Sequence, residues 1–217
     1  VTSAPLPSTI AAPVEHTLEI KRSIFLTHLA PAGSVEEADA VIARIRKQRW
    51  DARHHCTALI VGTHGDRQRS NDDGEPAGTA GVPMLEVLRR RDVTDVVAVV
   101  SRWFGGVKLG AGGLVRAYGS AVAETLDVAS LVHRAPRTAV AVDVPHAEAG
   151  RVLAFLHQWV ETHDAVLDAP EYGTQARLAV WVPPEDVPVL DADLGAFAAG
   201  ALTTRAGETR IVDLPAR

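Results

Sequence analysis

The chain has 217 residues, 47% of them hydrophobic and 23% charged, a globular balance that excludes disorder, collagen and coiled coil as its main state. Aromatics are only 5%, so the core has to rest on Val, Leu, Ile and Ala, and either one domain or two small ones could bury enough apolar surface to fold. The net charge of −5 is unevenly spread: residues 1–14 carry none, residues 15–135 carry 16 basic and 15 acidic groups, and residues 136–217 carry 6 and 12, so any RNA contact belongs to the front half.

A single cysteine, Cys56, forbids an internal disulfide and fits a reducing compartment. No apolar run approaches the roughly 20 residues that span a bilayer, and the start of the chain lacks a basic-then-apolar signal pattern. The expectation is a cytoplasmic protein with no membrane partner.

In chain order, residues 1–14 hold three prolines and no charge and read as a poorly ordered arm. His16–Leu29 reads as one or two strands around Ile20, Ile24 and Phe25. Ser34 with Glu37 forms a capping box for a helix whose apolar face is Ala38, Val41, Ile42 and Ile45. Its basic end, Arg44, Arg46, Lys47 and Arg49, sits where the helix dipole favours cations. His55–Val61 reads as a strand, Gly65-Asp66 as a turn into a short second strand, and residues 72–76 as a loop. A helix from near Pro83 runs to Arg89-Arg90-Arg91, and Val96–Val100, with no polar member, suits a strand buried on both faces. A glycine-rich loop then leads into a helix bearing Leu114, Tyr118, Ala121, Val122, Leu126 and Ala129 on one face.

Composition shifts around Arg134-Ala135-Pro136, which places a domain boundary there: 1–14 arm, 15–135 first domain, 136–217 second domain. The second reads strand (Thr138–Val144), helix (Ala147–Thr162), strand (Ala165–Ala169), strand (Gln175–Val182), helix (Asp186–Ala198), strand (Thr203–Leu214), the βαββαβ order of a ferredoxin-like domain.

The densest chemistry lies in Arg102-Trp103-Phe104-Gly105-Gly106-Val107-Lys108-Leu109-Gly110-Ala111-Gly112-Gly113-Leu114-Val115-Arg116-Ala117-Tyr118. A strand ends, glycines follow and a helix begins, which exposes backbone N–H groups and can hold an anion or RNA phosphate with Arg102, Lys108, Gly110, Gly112, Gly113 and Arg116. Trp103 or Tyr118 could stack a base if exposed. Walker A is not matched, because no Ser or Thr follows Lys108, and the dinucleotide fingerprint fails at Val115. The glycines serve close helix–strand packing equally well.

Asp72-Asp73-Gly74-Glu75-Pro76 offers three carboxylates that either pair with Arg102, Lys108 or Arg116, cap a helix, or hold Mg²⁺ for phosphate-ester or nucleotide chemistry. In His54-His55-Cys56, His54 and Cys56 share one strand face and could form a Cys–His nucleophile, although a lone Cys in an apolar strand is usually packing. The histidines show no metal-ligand spacing, and no catalytic set emerges. No metal, cofactor or catalytic residue is therefore assigned.

Ala52-Arg53-His54-His55-Cys56-Thr57-Ala58, then Asp72 to Pro83, then Arg102 to Tyr118 resemble the IMPACT (YigZ-type) family, in order over about residues 16–130. His55 stands where the family usually has Asn, and Trp103 where it more often has Tyr. The resemblance implies an α+β protein of two α/β-sandwich domains, a bacterial two-domain member. Its first domain is expected to share the fold of elongation factor G domain IV, and its second to look like that factor's ferredoxin-like domain V. Eukaryotic relatives regulate translation by competing for the activator of a starvation-sensing kinase. The shape implies a non-catalytic protein that binds RNA, the ribosome or a translation factor, without sequence-specific DNA binding. The first fold also occurs in small-molecule kinases, but the Ser-rich end of their ATP loop is missing here.

Overall fold

A computed structural model describes residues 6–215. The start of the chain pairs rather than strays: β1 (Thr9–Ile10) lies antiparallel to Leu131 and Val132, and Ile10 is buried in the core. This corrects the reading of residues 1–14 as an arm for their described part, because two β-branched side chains outweigh the proline count there. Residues 1–5 lie outside the described residues.

Strands β2 (Val14–Ile20) and β3 (Ser23–Pro31) form a hairpin, Ile20 opposite Ser23, so the turn is only Lys21-Arg22. Both turn residues have positive φ, 48° and 67°. That is the two-residue turn that matches strand twist, and it normally calls for Asn-Gly.

Helix α1 (Val35–Gln48) starts as its capping residues require: Ser34 Oγ accepts the Glu37 N–H at 3.1 Å. The Glu37 carboxylate, however, takes the N–H of Gly33 at 2.9 Å, one residue earlier than a capping box prescribes. Then follow β4 (His54–Val61), β5 (Arg67–Asn71), α2 (Gly81–Arg90), β6 (Val96–Trp103) and α3 (Ala111–Asp127).

The sheet runs β2-β3-β6-β4-β5, antiparallel throughout. Val96, Ala98 and Val100 of central β6 face a core shared with Met84, Leu88, Leu114 and Tyr118 of α2 and α3. Val97 and Val99 face the other core, with Ala38 and Ile45 of α1. Helices on both faces explain why β6 shows no polar alternation. The edges differ: β2 turns Glu15, Thr17 and Glu19 outward, and β5 exposes Arg67, Gln68 and Arg69.

The chain forms two compact units, one running to Arg134 and taking in the chain again from Leu214, the other Ala135–Asp213. Their junction falls inside one strand, β7 (Leu131–Val144), with Pro136 between the stretch paired to β1 and the stretch Thr138–Val144 paired to a later strand. After it come α4 (His146–Thr162), β8 (Val166–Leu167), β9 (Glu171–Tyr172), β10 (Ala176–Val182), α5 (Val187–Phe197) and β11 (Thr204–Pro215). The expected strand Ala165–Ala169 shrinks to two residues, and Glu171–Tyr172 pairs separately with β10.

The second unit's sheet is β8-β10-β7, with β11 on β7 and β9 on β10. Alternate residues Val140, Val142, Leu178 and Val180 pack with Leu156, Trp159, Leu190 and Leu194 of the two helices. The whole chain is mixed α/β, and among the described residues no helix is long and apolar enough to cross a membrane.

Candidate functional site

One end of the five-stranded sheet collects most of the residues the sequence singles out. The antiparallel registers bring the Lys21-Arg22 turn, the start of β4 at His54 and the end of β6 at Arg102-Trp103 to the same end. The last turn of α1 and the loop after β5 arrive there too: Arg46 reaches Asp73, and Trp103 Nε1 donates to Asp51 at 2.9 Å.

At the floor lies a buried polar triad. Arg102 continues the inward phase of Ala98 and Val100, and its Nη1 donates to Glu75 Oε1 at 2.5 Å. Both side chains are closed to solvent, at 7% and 4% exposure. The Tyr118 hydroxyl donates to the same oxygen at 2.8 Å, and burial pushes that phenol well above its ordinary value, so it acts as a donor. The guanidinium lies 5.3 Å from the Phe25 ring centroid and 5.8 Å from that of Phe104. Arg102 Nε is buried with no partner.

The three carboxylates of the acidic loop do separate jobs. Asp72 accepts the N–H groups of Gly78, Ala80 and Gly81 at 2.7, 3.0 and 2.8 Å, holding the start of α2. Burial alone would raise its pKa, but these N–H groups outweigh it and hold the carboxyl below the usual range. Asp73 takes Arg46 at 2.5 Å and the His55 N–H at 2.6 Å; burial opposes them, and its pKa too ends below the usual range. Glu75 belongs to Arg102. Among the described residues, no three His, Cys, Asp or Glu side chains converge in a metal-holding group.

The histidine pair and the cysteine are similarly absorbed. His54 Nδ1 donates to the Asp73 carbonyl at 2.8 Å, and His55 Nδ1 meets Ser101 Oγ at 3.0 Å on the opposite face. Cys56 is fully buried, donates to the Asp72 carbonyl and is pushed up to about 12 by burial, which removes the thiolate a nucleophile needs.

The glycine loop after β6 is anchored at Gly105. A Cβ there would lie 2.0 Å from the Arg22 carbonyl carbon, so only glycine lets the loop pack on the hairpin turn. Gly105 also donates its N–H to Ser23 Oγ at 3.2 Å. Gly110, at φ 72°, is the N-cap of α3 and supplies no side-chain cap, and no acidic residue occupies the first turn. The first intrahelical bond joins the Leu114 N–H to the Gly110 carbonyl, which leaves the N–H groups before it without intrahelical partners. Beside this helix start opens a cavity of about 320 Å³ lined by cationic Arg53, Arg102 and Lys108 and by apolar Phe104, Leu109 and Leu114.

Of the residues expected to bind an anion, Arg102, Lys108 and Gly110 meet at this cavity, and Gly112 and Gly113 form the first helical turn. Arg116 instead lines a groove between α2 and α3 with Val82, Pro83 and Gly119. Tyr118 is fully buried and cannot stack a base, because its ring packs edge-on against Phe25 at 5.2 Å. Trp103 is half-buried and tied to Asp51. Arg102 pairs with Glu75, rather than with Asp72 or Asp73.

Sequence reasoning missed the most exposed aromatic in this region, Trp50, at 82% exposure, and the exposed cations Lys21, Arg22 and Arg53 on the segments that reach the same sheet end. None of these three has an ion pair among the described residues. A Trp in the run Arg49-Trp50-Asp51, just past a helix and facing no apolar repeat, was the available signal.

Residues 21–126 match the family described as the Impact N-terminal domain. Over 194 residues the chain is 39% identical to the IMPACT family member YigZ of Escherichia coli (strain K12), covering 88% of this chain and 93% of that one. It is 52% identical over 120 residues to the IMPACT family member YvyE of Bacillus subtilis (strain 168), a match that spans 55% of each protein. The Bos taurus protein named Protein IMPACT matches over 105 residues at 36% identity, covering 45% of this chain and 32% of that protein. A crystal structure described as that of an hypothetical protein is 36% identical with a TM-score of 0.60, covering 95% of this chain and 99% of its own.

Proposed function

The chain belongs to the IMPACT family, and on that premise we propose that it is a non-catalytic binding protein of the translation apparatus whose RNA-facing surface is the cationic end of the five-stranded sheet. One observation carries this reading: Lys21, Arg22, Arg53 and Lys108, exposed and outside the ion pairs of the described residues, and the exposed rings of Trp50 and Phe104 lie on segments that reach a single sheet end. Cations track a phosphate backbone, and an exposed ring stacks bases of any sequence. The commitment of Asp72, Asp73 and Glu75 to a helix start and to arginines supports binding over metal-dependent phosphate-ester chemistry.

The strain in the turn supports the same surface. Two non-glycine residues at positive φ cost about 1–2 kcal/mol each, and a tip that spends this on Lys and Arg gains two projecting charges. In the second unit, the order β8-β10-β7 with β11 beyond β7 supports the ferredoxin-like reading, and the first unit's likeness to elongation factor G domain IV rests on the family resemblance.

Fluorescence anisotropy with a single-stranded RNA, from about 50 to 200 mM salt, tests the assignment. Lys21→Ala and Arg53→Ala should each weaken binding evenly across sequences and lower the salt slope by about one. Trp50→Ala should cost about 1–3 kcal/mol. Unchanged affinity in the triple variant, with its melting temperature retained, removes the sheet end from RNA binding.

A further inference from the structure

We propose that the cavity at the start of α3 is a site for a phosphate monoester on a flat apolar body, the chemistry of a nucleoside 5′-monophosphate. Three observations converge on it. The helix start is uncapped: Gly110 brings no side chain and the first turn brings no carboxylate. Arg102, only 6% exposed, lines the cavity, and its Nε is buried without a partner although its Nη1 is held by Glu75. An arginine in the cavity wall whose donors Glu75 does not exhaust, beside a helix start with free N–H groups, gives the cavity a cationic floor suited to an acceptor.

Charge and size agree. Arg53, Arg102 and Lys108 stand against one carboxylate, Glu75, so the lining carries an excess of two positive charges. A phosphate monoester carries about −1.5 to −2 at neutral pH, whereas a phosphodiester within a strand carries one charge and leaves part of that excess unmet. The cavity of about 320 Å³ lies at the low end of small-ligand sites, and Phe104, Leu109 and Leu114 give the ligand's body an apolar wall. The ligand's source is either a free mononucleotide or the 5′-phosphate end of an RNA strand crossing the same sheet end, and only the second source rests on the RNA reading above.

The test uses calorimetry on the full chain with AMP and adenosine, and anisotropy with one oligoribonucleotide in 5′-phosphorylated and 5′-hydroxyl forms. AMP should bind and adenosine should not. Lys108→Ala and Ala111→Asp should each weaken AMP by about tenfold or more. Ala111→Asp discriminates sharply, because an acidic residue in the first turn satisfies the helix dipole and should leave the melting temperature equal or higher while it repels the phosphate. Tighter binding of the phosphorylated oligonucleotide assigns the RNA end as source; AMP binding with equal oligonucleotides assigns the free nucleotide. The site is overturned if AMP fails at about 1 mM and the two oligonucleotides bind alike, if adenosine equals AMP, or if neither variant changes binding. Should AMP bind and neither oligonucleotide do so, the site stands and the RNA reading falls.

Discussion

Arg102 Nη1 lies 2.5 Å from Glu75 Oε1 with both side chains almost closed to water, at the polar end of the strand whose first five residues are all apolar. A buried pair of this kind costs desolvation on both sides, so its removal by halves is far worse than its removal whole. Arg102→Ala should destabilise the first unit by about 3–5 kcal/mol in urea titrations. The triple variant Arg102→Met, Glu75→Leu, Tyr118→Phe, which leaves no donor of the triad without its acceptor, should regain most of that loss. Tyr118→Phe, which removes one donor to the same carboxylate, should cost about 1.5–3 kcal/mol.

The hairpin turn sets stability against binding. Lys21→Gly with Arg22→Gly relieves two positive-φ residues and should raise stability by about 1 kcal/mol or more per position. RNA affinity should fall in the same protein, with a salt slope lower by about two. A variant that gains stability and keeps its affinity would detach the strain from the function.

Gly105→Ala should not be absorbed. The new Cβ would meet the backbone of Arg22 and Ser23 at 2.0 to 2.4 Å, and a backbone cannot rotate away as a side-chain end can. The expected loss is about 1–3 kcal/mol, with the hairpin amides shifted in NMR spectra. Gly106→Ala, at positive φ with nothing within 4 Å, should cost less and leave the hairpin unshifted.

Acid should weaken the fold in two windows. His28 and His55 have lowered pKa values, through burial first. Arg44 Nη2 can only donate, so His28 Nε2 accepts from it and Nδ1–H faces Glu15, which makes this a neutral imidazole. A group with its folded pKa below 6.5 contributes stability that is complete above 6.5 and declines as pH falls past it. His28→Gln, whose amide supplies a donor and an acceptor without titrating, should flatten part of that decline in urea midpoints between pH 7.5 and 5.5. Asp72 and Asp73 act lower: their contribution is present above 3.8 and is lost as pH falls below it, and Asp72→Asn should reduce the slope there.

Local chemistry made much of the first unit legible. Ser34 signals its helix because a hydroxyl has to meet an orphan N–H, and Val96–Val100 signals a two-faced burial because no polar side chain interrupts it. The β2–β3 turn was illegible for a physical reason: its conformation asks for Asn-Gly and the chain supplies Lys-Arg, so nothing marks where one strand ends. Thr9-Ile10 was hidden by neighbouring prolines, since its partner lies over a hundred residues away in β7. The strand-end glycine loop running into a helix start was legible by type, but which side chains gather beside it was not. Spacing cannot tell that Arg116 turns toward α2, that Tyr118 faces inward, or that Trp50 returns to the same end through α1.

The charged borders of the five-stranded sheet bear on how copies of this protein meet. A bare strand edge is a template for another molecule's strand, and filaments grow when such templates are flat and apolar. Here β2 exposes Glu19 and β5 exposes Arg67, neither in an ion pair among the described residues, while Glu15 and Arg69 are held by Arg49 and Asp39. Two molecules that approach β2 to β2, or β5 to β5, bring like charges together before any amide can pair. Self-recognition along either border is thereby discouraged at the crowded concentrations where an unguarded sheet would stack.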